Sequence, residues 1–126
     1  MFRNTKAFSS FSVDDLGKAK DFYENKLGLK VIETPEGLEL VLKGDTHVFI
    51  YQSSDYNPPE HTILNFIVDD IEATISELNK RGIKMEQYDM PDIKTDAKGI
   101  FRGPSGPSAI AWFKDPAQHI LSVLVE

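Results

Sequence analysis

The chain uses one four-residue motif twice, and this repeat constrains the fold more than any other feature of the sequence. VDDL at residues 13–16 recurs as VDDI at residues 68–71, which is 55 positions later. A second shared pattern, LGLKV at residues 27–31 and RGIKM at residues 81–85, recurs at a spacing of 54. Self-similarity at a nearly constant spacing indicates that one supersecondary unit occurs twice. We therefore expect two similar halves.

The length of 126 residues suits one domain and is too short for two domains that each build a full core. The repeat divides this single domain, residues 1–126, into halves at about residues 5–54 and 60–126.

The first half predicts a strand, a helix and three further strands. Residues 7–13 alternate in polarity as a strand does, Asp14 is placed to cap a helix, and apolar residues at helical spacing predict that helix at residues 15–26. Gly28 is the residue type that best ends a helix in the left-handed conformation. Short strand-like runs follow at residues 29–33, 38–42 and 48–52.

The second half predicts the same order of elements. Residues 62–68 form the strand, Asp69 is the expected cap, and Gly82 ends the helix. Strand-like runs follow at residues 83–88, 109–113 and 120–125. The fold class is therefore α+β, built from two βαβββ modules.

One segment of the second half, residues 91–108, lacks periodicity and contains three prolines and three glycines. A loop of this length in a small domain is usually functional or disordered, so we expect a lid over a ligand site. Arg102 is its best candidate for binding a ligand carboxylate or phosphate, because a guanidinium offers a fork of donors. A solvated connection without a ligand role is the alternative.

Composition excludes several classes of function. Fourteen Lys and Arg against twenty Asp and Glu give a formal charge of −6, which disfavours binding to nucleic acid. The absence of cysteine excludes disulfides, thiolate metal sites and cysteine nucleophiles. No apolar run approaches the roughly 20 residues that span a bilayer, so we expect a cytoplasmic protein without a membrane partner.

The double βαβββ pattern resembles the vicinal oxygen chelate superfamily, which includes glyoxalase I, bleomycin-resistance proteins and extradiol dioxygenases. The motifs that carry the resemblance are VDDL, the Phe22-Tyr23 pair before LGL at residues 27–29, and WFKDP at residues 112–116. The resemblance implies modules that form a cupped, incomplete mixed β-barrel around a cavity, often in homodimers. Active members hold a divalent metal on inward-facing strand positions.

The ligand positions of metal-dependent relatives are changed in this chain. Relatives similar to glyoxalase I place one ligand, usually His, on the first strand of each half, where this chain has Phe8 and Ile63. Two carboxylates come from the fourth strands, at positions that we match to Ile50 and Ser122. Divalent cations need nitrogen or oxygen donors, and these four residues supply one hydroxyl. We therefore expect no metal and no other cofactor.

The remaining candidates for ligand binding lie on strand faces that the resemblance turns toward the cavity. Phe11 and Val13 belong to the opposite face, which we expect to pack under a helix. His61 shares strand parity with Ile63 and Asn65, so it is a candidate general base, and a two-residue shift of the alignment would bring it to the position of Ile63. The full predicted set comprises Phe8, Ser10, Ile50, Gln52, His61, Ile63, Asn65, Arg102, Trp112 and Ser122.

Three functions follow from this reasoning. The first is a metal-independent protein that binds an apolar or aromatic small molecule for sequestration, transport or sensing, as a homodimer. The second is an enzyme of the same superfamily, a lyase, isomerase or dioxygenase, with unconventional metal ligands or with acid–base chemistry by His61 or Glu39. The third is a dimeric accessory domain with a vestigial pocket.

Overall fold

The repeated motif lies at the junction between the first strand and the helix of each half. The computed structural model describes residues 1–126, and it divides the chain into two units, Met1–Pro58 and Pro59–Glu126. The first unit contains strand β1 (Ser9–Val13), helix α1 (Leu16–Lys20) with a π-helical continuation (Asp21–Lys26), and strands β2 (Lys30–Thr34), β3 (Gly37–Leu42) and β4 (Thr46–Gln52).

The second unit contains strand β5 (Thr62–Ile67), helix α2 (Ile71–Lys80), and strands β6 (Ile100–Phe101), β7 (Ala109–Lys114) and β8 (Ile120–Val125). None of the helices combines the length and apolar character that crossing a membrane requires.

Both units form a four-stranded mixed sheet with the same topology. The strand order is β1-β4-β3-β2 in the first unit and β5-β8-β7-β6 in the second. In each unit the first and last strands pair in parallel, and the other pairs are antiparallel. The predicted fold of two βαβββ modules is therefore confirmed, and the repeat in the sequence corresponds to a repeat in sheet order.

The second aspartate of each motif caps the helix, so the predicted caps Asp14 and Asp69 are wrong by one residue. The Oδ1 atom of Asp15 accepts a hydrogen bond from the backbone N of Lys18 at 3.0 Å, and Asp70 accepts one from Ala73 at 3.0 Å. A capping side chain has to reach an N–H group two or three residues ahead. The aspartate that directly precedes the first helical residue meets this condition.

Both helices end at the predicted glycines. Gly28 and Gly82 have φ angles of 74° and 81°, a backbone conformation that glycine adopts without a Cβ clash. The first helix changes to a π-helical pattern before it ends, because the backbone N of Leu27 donates to the carbonyl of Phe22, five residues earlier.

The strand predicted at residues 83–88 is wrong. This segment follows α2 without regular pairing, although the backbone N of Glu86 donates to the carbonyl of Trp112. The edge strand of the second sheet is instead β6, which lies inside the segment predicted as a loop, residues 91–108. With two residues, β6 is too short to give a periodic signal.

Each sheet has one face covered by the helix of its own unit. In the first unit the rings of Phe11 and Tyr23 pack against each other with a centroid distance of 6.2 Å, as expected for the helix-covered face of β1. In the second unit the apolar stripe of α2 packs on β7 and β8. The other face of each sheet, which we call the open face, carries none of its unit's helices. The buried apolar residues of the two helix-covered faces include Val13, Leu38, Leu40, Ile50, Ala111, Phe113, Leu121 and Val123.

Candidate functional site

The open face of the second unit carries a row of three candidate ligand-binding side chains. Strand pairing places Asn65 of β5 directly beside Ser122 of β8, and Ser122 directly opposite Trp112 of β7. Paired residues of neighbouring strands point to the same face of a sheet. All three residues were predicted as ligand-binding residues, and the structure brings them together across adjacent strands.

Ser122 and Asn65 form a short hydrogen bond. The hydroxyl of Ser122 donates to Oδ1 of Asn65 at 2.5 Å, and Ser122 is fully buried whereas Asn65 is exposed. A buried hydroxyl has to place its proton on an acceptor, since an unmade hydrogen bond is costly. The pair therefore turns the amide nitrogen of Asn65 away from Ser122.

Trp112 stands in an aromatic cluster at the other end of the row. The ring of Tyr88 meets the indole edge-to-face at a centroid distance of 5.4 Å, and the ring of Phe101 lies at 6.5 Å. Burial, with a smaller effect of the Glu86 carboxylate, raises the pKa of Tyr88 above its usual value of 10.0. The phenol is therefore neutral near pH 7 and keeps its O–H donor.

An apolar row runs beside the polar one on the same open face. Ile67 pairs with Leu124, Leu124 with Ile110, and Ile110 with Phe101, so that one apolar side chain comes from each strand. None of these four side chains is fully buried, and Ile67 is 65% exposed. The face therefore offers an apolar surface bordered by hydrogen-bonding groups.

The open face of the first unit is also rich in aromatic rings. Phe8 is 59% exposed and stacks on His47 with a centroid distance of 4.6 Å. Ser10 is exposed beside Phe49, which stacks with Tyr51 at 6.3 Å. Glu39, the other acid–base candidate, pairs with Phe49 in the same row. The predicted residue Ser10 thus lies on the expected face of β1, and Phe8 lies directly before this strand.

The structure places Ile50 and Gln52 on the helix-covered face, contrary to the expectation. Ile50 is fully buried and pairs with Phe11 and Leu38. The side chain of Gln52 accepts a hydrogen bond from the backbone N of Leu16 at 3.4 Å, at the start of α1. The match of Ile50 to Ser122 was off by one residue, and a slip of one residue moves a side chain to the opposite face.

Ile63 and His61 lie at a break in the regular pairing of β5. The register shifts between Thr62, which pairs with Ile120, and Leu64, which pairs with Leu121. Ile63 is the extra residue at this irregularity and is half-buried. Because of this irregularity, the alternation of side chains along β5 does not extend from Asn65 back to His61. His61 is exposed and lies directly before the strand.

Arg102 is held by an ion pair within its own segment. Its Nη1 atom lies 3.5 Å from Oδ2 of Asp96, and the side chain is 53% exposed. Asp96 also accepts hydrogen bonds from the backbone N of Ile100 and of Lys98, and its bond from Ile100 is the largest cause that lowers its pKa. The lid role of this segment stays a prediction.

A small pocket of about 230 Å³ lies along α2. It is lined by Glu72, Ile75, Ser76, Asn79 and Lys98. The ammonium of Lys98 contacts the carboxylate of Glu72 at 2.5 Å, so the two charges offset each other. This pocket offers no unpaired charge to a ligand and is a weaker candidate than the open face.

The residues at the implied metal-ligand positions do not fit a divalent metal. Phe8 and Ile63 carry no donor atoms, and the only hydroxyl, that of Ser122, is bonded to Asn65. The sheet register makes Phe49, which pairs with Ser10, the counterpart of Ser122 in the first unit. No three His, Asp or Glu side chains in the structure are grouped so that they could hold a metal ion.

Sequence reasoning missed three residues of these faces. Phe49 was missed because Ile50 was aligned in its place, whereas Tyr88 and Phe101 lie outside the regular strands or in a very short one. The motif aligns Ser10 with Asn65, but the place of Phe49 beside Ser10 depends on the register between β1 and β4, which the sequence does not display. No sequence signal places Tyr88 beside Trp112.

Several solved structures resemble this one along nearly their whole length. A structure described as TnmS3, an antibiotic binding protein from Streptomyces sp. CB03234, has a TM-score of 0.63 and 23% identity, with 97% of each chain covered. A glyoxalase family protein from Enterococcus faecalis has a TM-score of 0.68 and 24% identity, with 98% of this chain and 99% of that chain covered. At these identities the likeness establishes the fold.

A third similar structure is the fosfomycin resistance protein FosX from Listeria monocytogenes. It has a TM-score of 0.69 and 13% identity, with 98% of this chain and 93% of that chain covered. No curated protein sequence matches the chain significantly. The family model described as Glyoxalase/Bleomycin resistance protein/Dioxygenase superfamily matches residues 8–122, which is most of the chain. The chain therefore belongs to the Glyoxalase/Bleomycin resistance protein/Dioxygenase superfamily.

Proposed function

We propose that this protein binds an apolar or aromatic small molecule without using a metal, for sequestration, transport or sensing. The observation that carries the proposal is the row of Asn65, Ser122 and Trp112 on an open sheet face. Binding sites for small molecules are typically apolar surfaces with a few well-placed polar groups. This row supplies the polar groups and an aromatic ring, and the neighbouring row supplies the apolar surface.

The residues at the family's metal positions support a metal-independent mode of binding. Phe8, Phe49 and Ile63 are apolar, and the hydroxyl of Ser122 is engaged by Asn65. Apolar side chains at these positions favour an apolar ligand over a hydrated ion. We expect purified protein to contain no stoichiometric divalent metal. Elemental analysis that finds about one zinc, nickel, manganese or iron per chain would refute this mode of binding.

The described roles of two similar structures are compatible with sequestration. One is described as an antibiotic binding protein and the other as a fosfomycin resistance protein. Their identities to this chain are low, so they suggest a class of function without naming a ligand.

We propose that the protein acts in the cytoplasm as a homodimer.

Trp112 makes the proposal directly testable because it is the only tryptophan in the chain. We expect coumarin, a flat two-ring probe, to change the emission of Trp112 and to give a saturable signal in titration calorimetry. Trp112→Leu should weaken the calorimetric affinity about fivefold, since aromatic contacts contribute roughly 1 kcal/mol beyond burial. Phe2→Leu, at an exposed aromatic residue near the N-terminus, is the matched control and should bind as the wild type does.

Two results would count against this function. Wild-type protein that binds no coumarin in either measurement would remove the proposed site. Equal losses in Trp112→Leu and Phe2→Leu would show that the probe binds the surface without selection.

A further inference from the structure

The Ser122–Asn65 pair fixes the polarity of the group that the open face presents to a ligand. A side-chain amide carries an acceptor oxygen and a donor nitrogen on the same carbon atom. A half-turn of the amide exchanges the two, so either one could face outward. Asn65 Oδ1 is the sole acceptor for the buried hydroxyl of Ser122. Reversal of the amide would leave the hydroxyl proton without an acceptor inside the protein, which is unfavourable for a buried group.

The outward group is therefore the amide nitrogen with its two N–H donors. Asn65 is exposed, and its nitrogen makes no hydrogen bond within the protein. Asn65 and Trp112 flank Ser122 on opposite sides, so they are separated by two strand spacings, about 10 Å. A flat ligand that contacts the indole and extends over Ser122 can reach this donor.

We propose that Asn65 selects ligands that carry a hydrogen-bond acceptor, such as the carbonyl oxygen of a lactone or quinone, at the edge of an aromatic ring system. Ser122 is the positioning residue, because it acts through Asn65. This inference rests on the proposed function and specifies the class of ligand that the site takes. The outward N–H groups of Asn65 can donate a hydrogen bond to a ligand that carries an acceptor. A purely apolar ring offers these N–H groups no acceptor, so the site should prefer the first kind of ligand.

The test compares two probes of similar ring size that differ in the acceptor. Coumarin carries a lactone carbonyl, and naphthalene has no acceptor of comparable strength. We expect the wild type to bind coumarin about five- to tenfold more tightly than naphthalene in titration calorimetry, which corresponds to one hydrogen bond.

Asn65→Asp replaces the outward donor by an acceptor and still accepts the proton of Ser122. It should weaken coumarin binding about tenfold and leave naphthalene binding nearly unchanged. Asn57→Asp is the matched control, since it makes the same change at an exposed asparagine outside the strands and should preserve both affinities. Ser122→Ala should lower the preference for coumarin with little effect on naphthalene, because the amide is then free to turn.

The outcomes separate this inference from the proposed function. A wild type that binds neither probe refutes the proposed function and, with it, the inference. A wild type that binds both probes equally, or an Asn65→Asp variant that keeps its preference for coumarin, refutes the inference alone.

Discussion

The imidazole Nδ1 of His119 lies 3.8 Å from the carboxylate Oδ1 of Asp115, and both side chains are buried at the turn between β7 and β8. The same Oδ1 accepts a hydrogen bond from the backbone N of His119 at 2.8 Å, and the backbone N of Asp115 donates to the carbonyl of His119 at 3.0 Å. Burial lowers the pKa of His119 below its usual value of 6.5, and the Asp115 carboxylate opposes this effect only in part. His119 is therefore neutral in the folded protein near pH 7.

This histidine gives the stability a defined dependence on pH. The unfolded chain binds a proton at His119 more readily than the folded chain, so the free energy of unfolding should fall as the pH drops below about 6.5. The stability that depends on a neutral His119 is fully present above pH 6.5. It is lost as the pH falls from about 6.5 toward the lowered pKa of the folded protein, with a slope of at most about 1.4 kcal/mol per pH unit. Urea denaturation between pH 7.5 and 5.5 measures it.

His119→Gln should reduce the fall of stability over this pH range, and His61→Gln, at an exposed histidine, serves as the control. An equal slope in wild type and His119→Gln would contradict the assignment to His119.

Gly37 is required by a close approach of two backbones. A Cβ atom at this position would lie 2.1 Å from the carbonyl oxygen of Ile50 on the neighbouring strand. Because both groups belong to paired strands, neither can move without breaking the pairing of β3 with β4, and we expect Gly37→Ala to destabilise the fold by about 3 kcal/mol or more. Thermal or urea unfolding provides the measurement.

Gly82→Ala is the control for the effect of a lost glycine. Gly82 has a φ of 81° and open space around the Cβ position, so the cost is about 1–2 kcal/mol of backbone strain alone. If Gly37→Ala were no more destabilising than Gly82→Ala, the close contact with Ile50 would be wrong.

The two capping aspartates can be distinguished from their neighbours by substitution. Asp15→Ala and Asp70→Ala each remove a side-chain acceptor from a helix N-terminus and should destabilise the protein by about 1 kcal/mol. Asp14→Ala and Asp69→Ala remove a carboxylate of the same charge one residue earlier, and their effects should stay within about 0.5 kcal/mol. If Asp14→Ala cost as much stability as Asp15→Ala, and Asp69→Ala as much as Asp70→Ala, the electrostatic interaction with the helix dipole would dominate over capping.

Exposed apolar side chains at the edge strands favour a homodimer. Phe8, directly before β1, and Ile67, at the end of β5, are 59% and 65% exposed, and β1 and β5 are edge strands of their own sheets. We expect light scattering to give twice the chain mass of 14.2 kDa at micromolar concentration. Ile67→Asp should shift the mass toward the monomer, whereas Met90→Asp, at an exposed apolar residue outside the sheets, should leave it unchanged. A monomeric wild type would refute the dimer.

Local signals predicted the elements of the first half well. Alternation located β1, and the two glycines located the helix ends, because both features depend on residues close in the chain. The second half was harder. Residues 83–88 have the composition of a strand, but strand pairing depends on a partner distant in the sequence, and the partner of β7 is β6.

The candidate site was predicted in part for the same reason. Asn65, Trp112 and Ser122 were chosen from their strand positions, and the structure brings them into one row. Ile50 and Gln52 were assigned to the wrong face, because an alignment error of one residue reverses the direction of every side chain in a strand.

By itself, the sequence determined the doubling of the βαβββ module and the ends of its helices. These properties depend on residue types and on short spacings, which a single chain displays directly. Only the tertiary structure decided that Phe49 rather than Ile50 is the counterpart of Ser122, that pairing is irregular at Ile63, and that Tyr88 packs against Trp112. Register between strands and contacts of irregular segments are set by packing among residues far apart in the chain, and no local pattern encodes them.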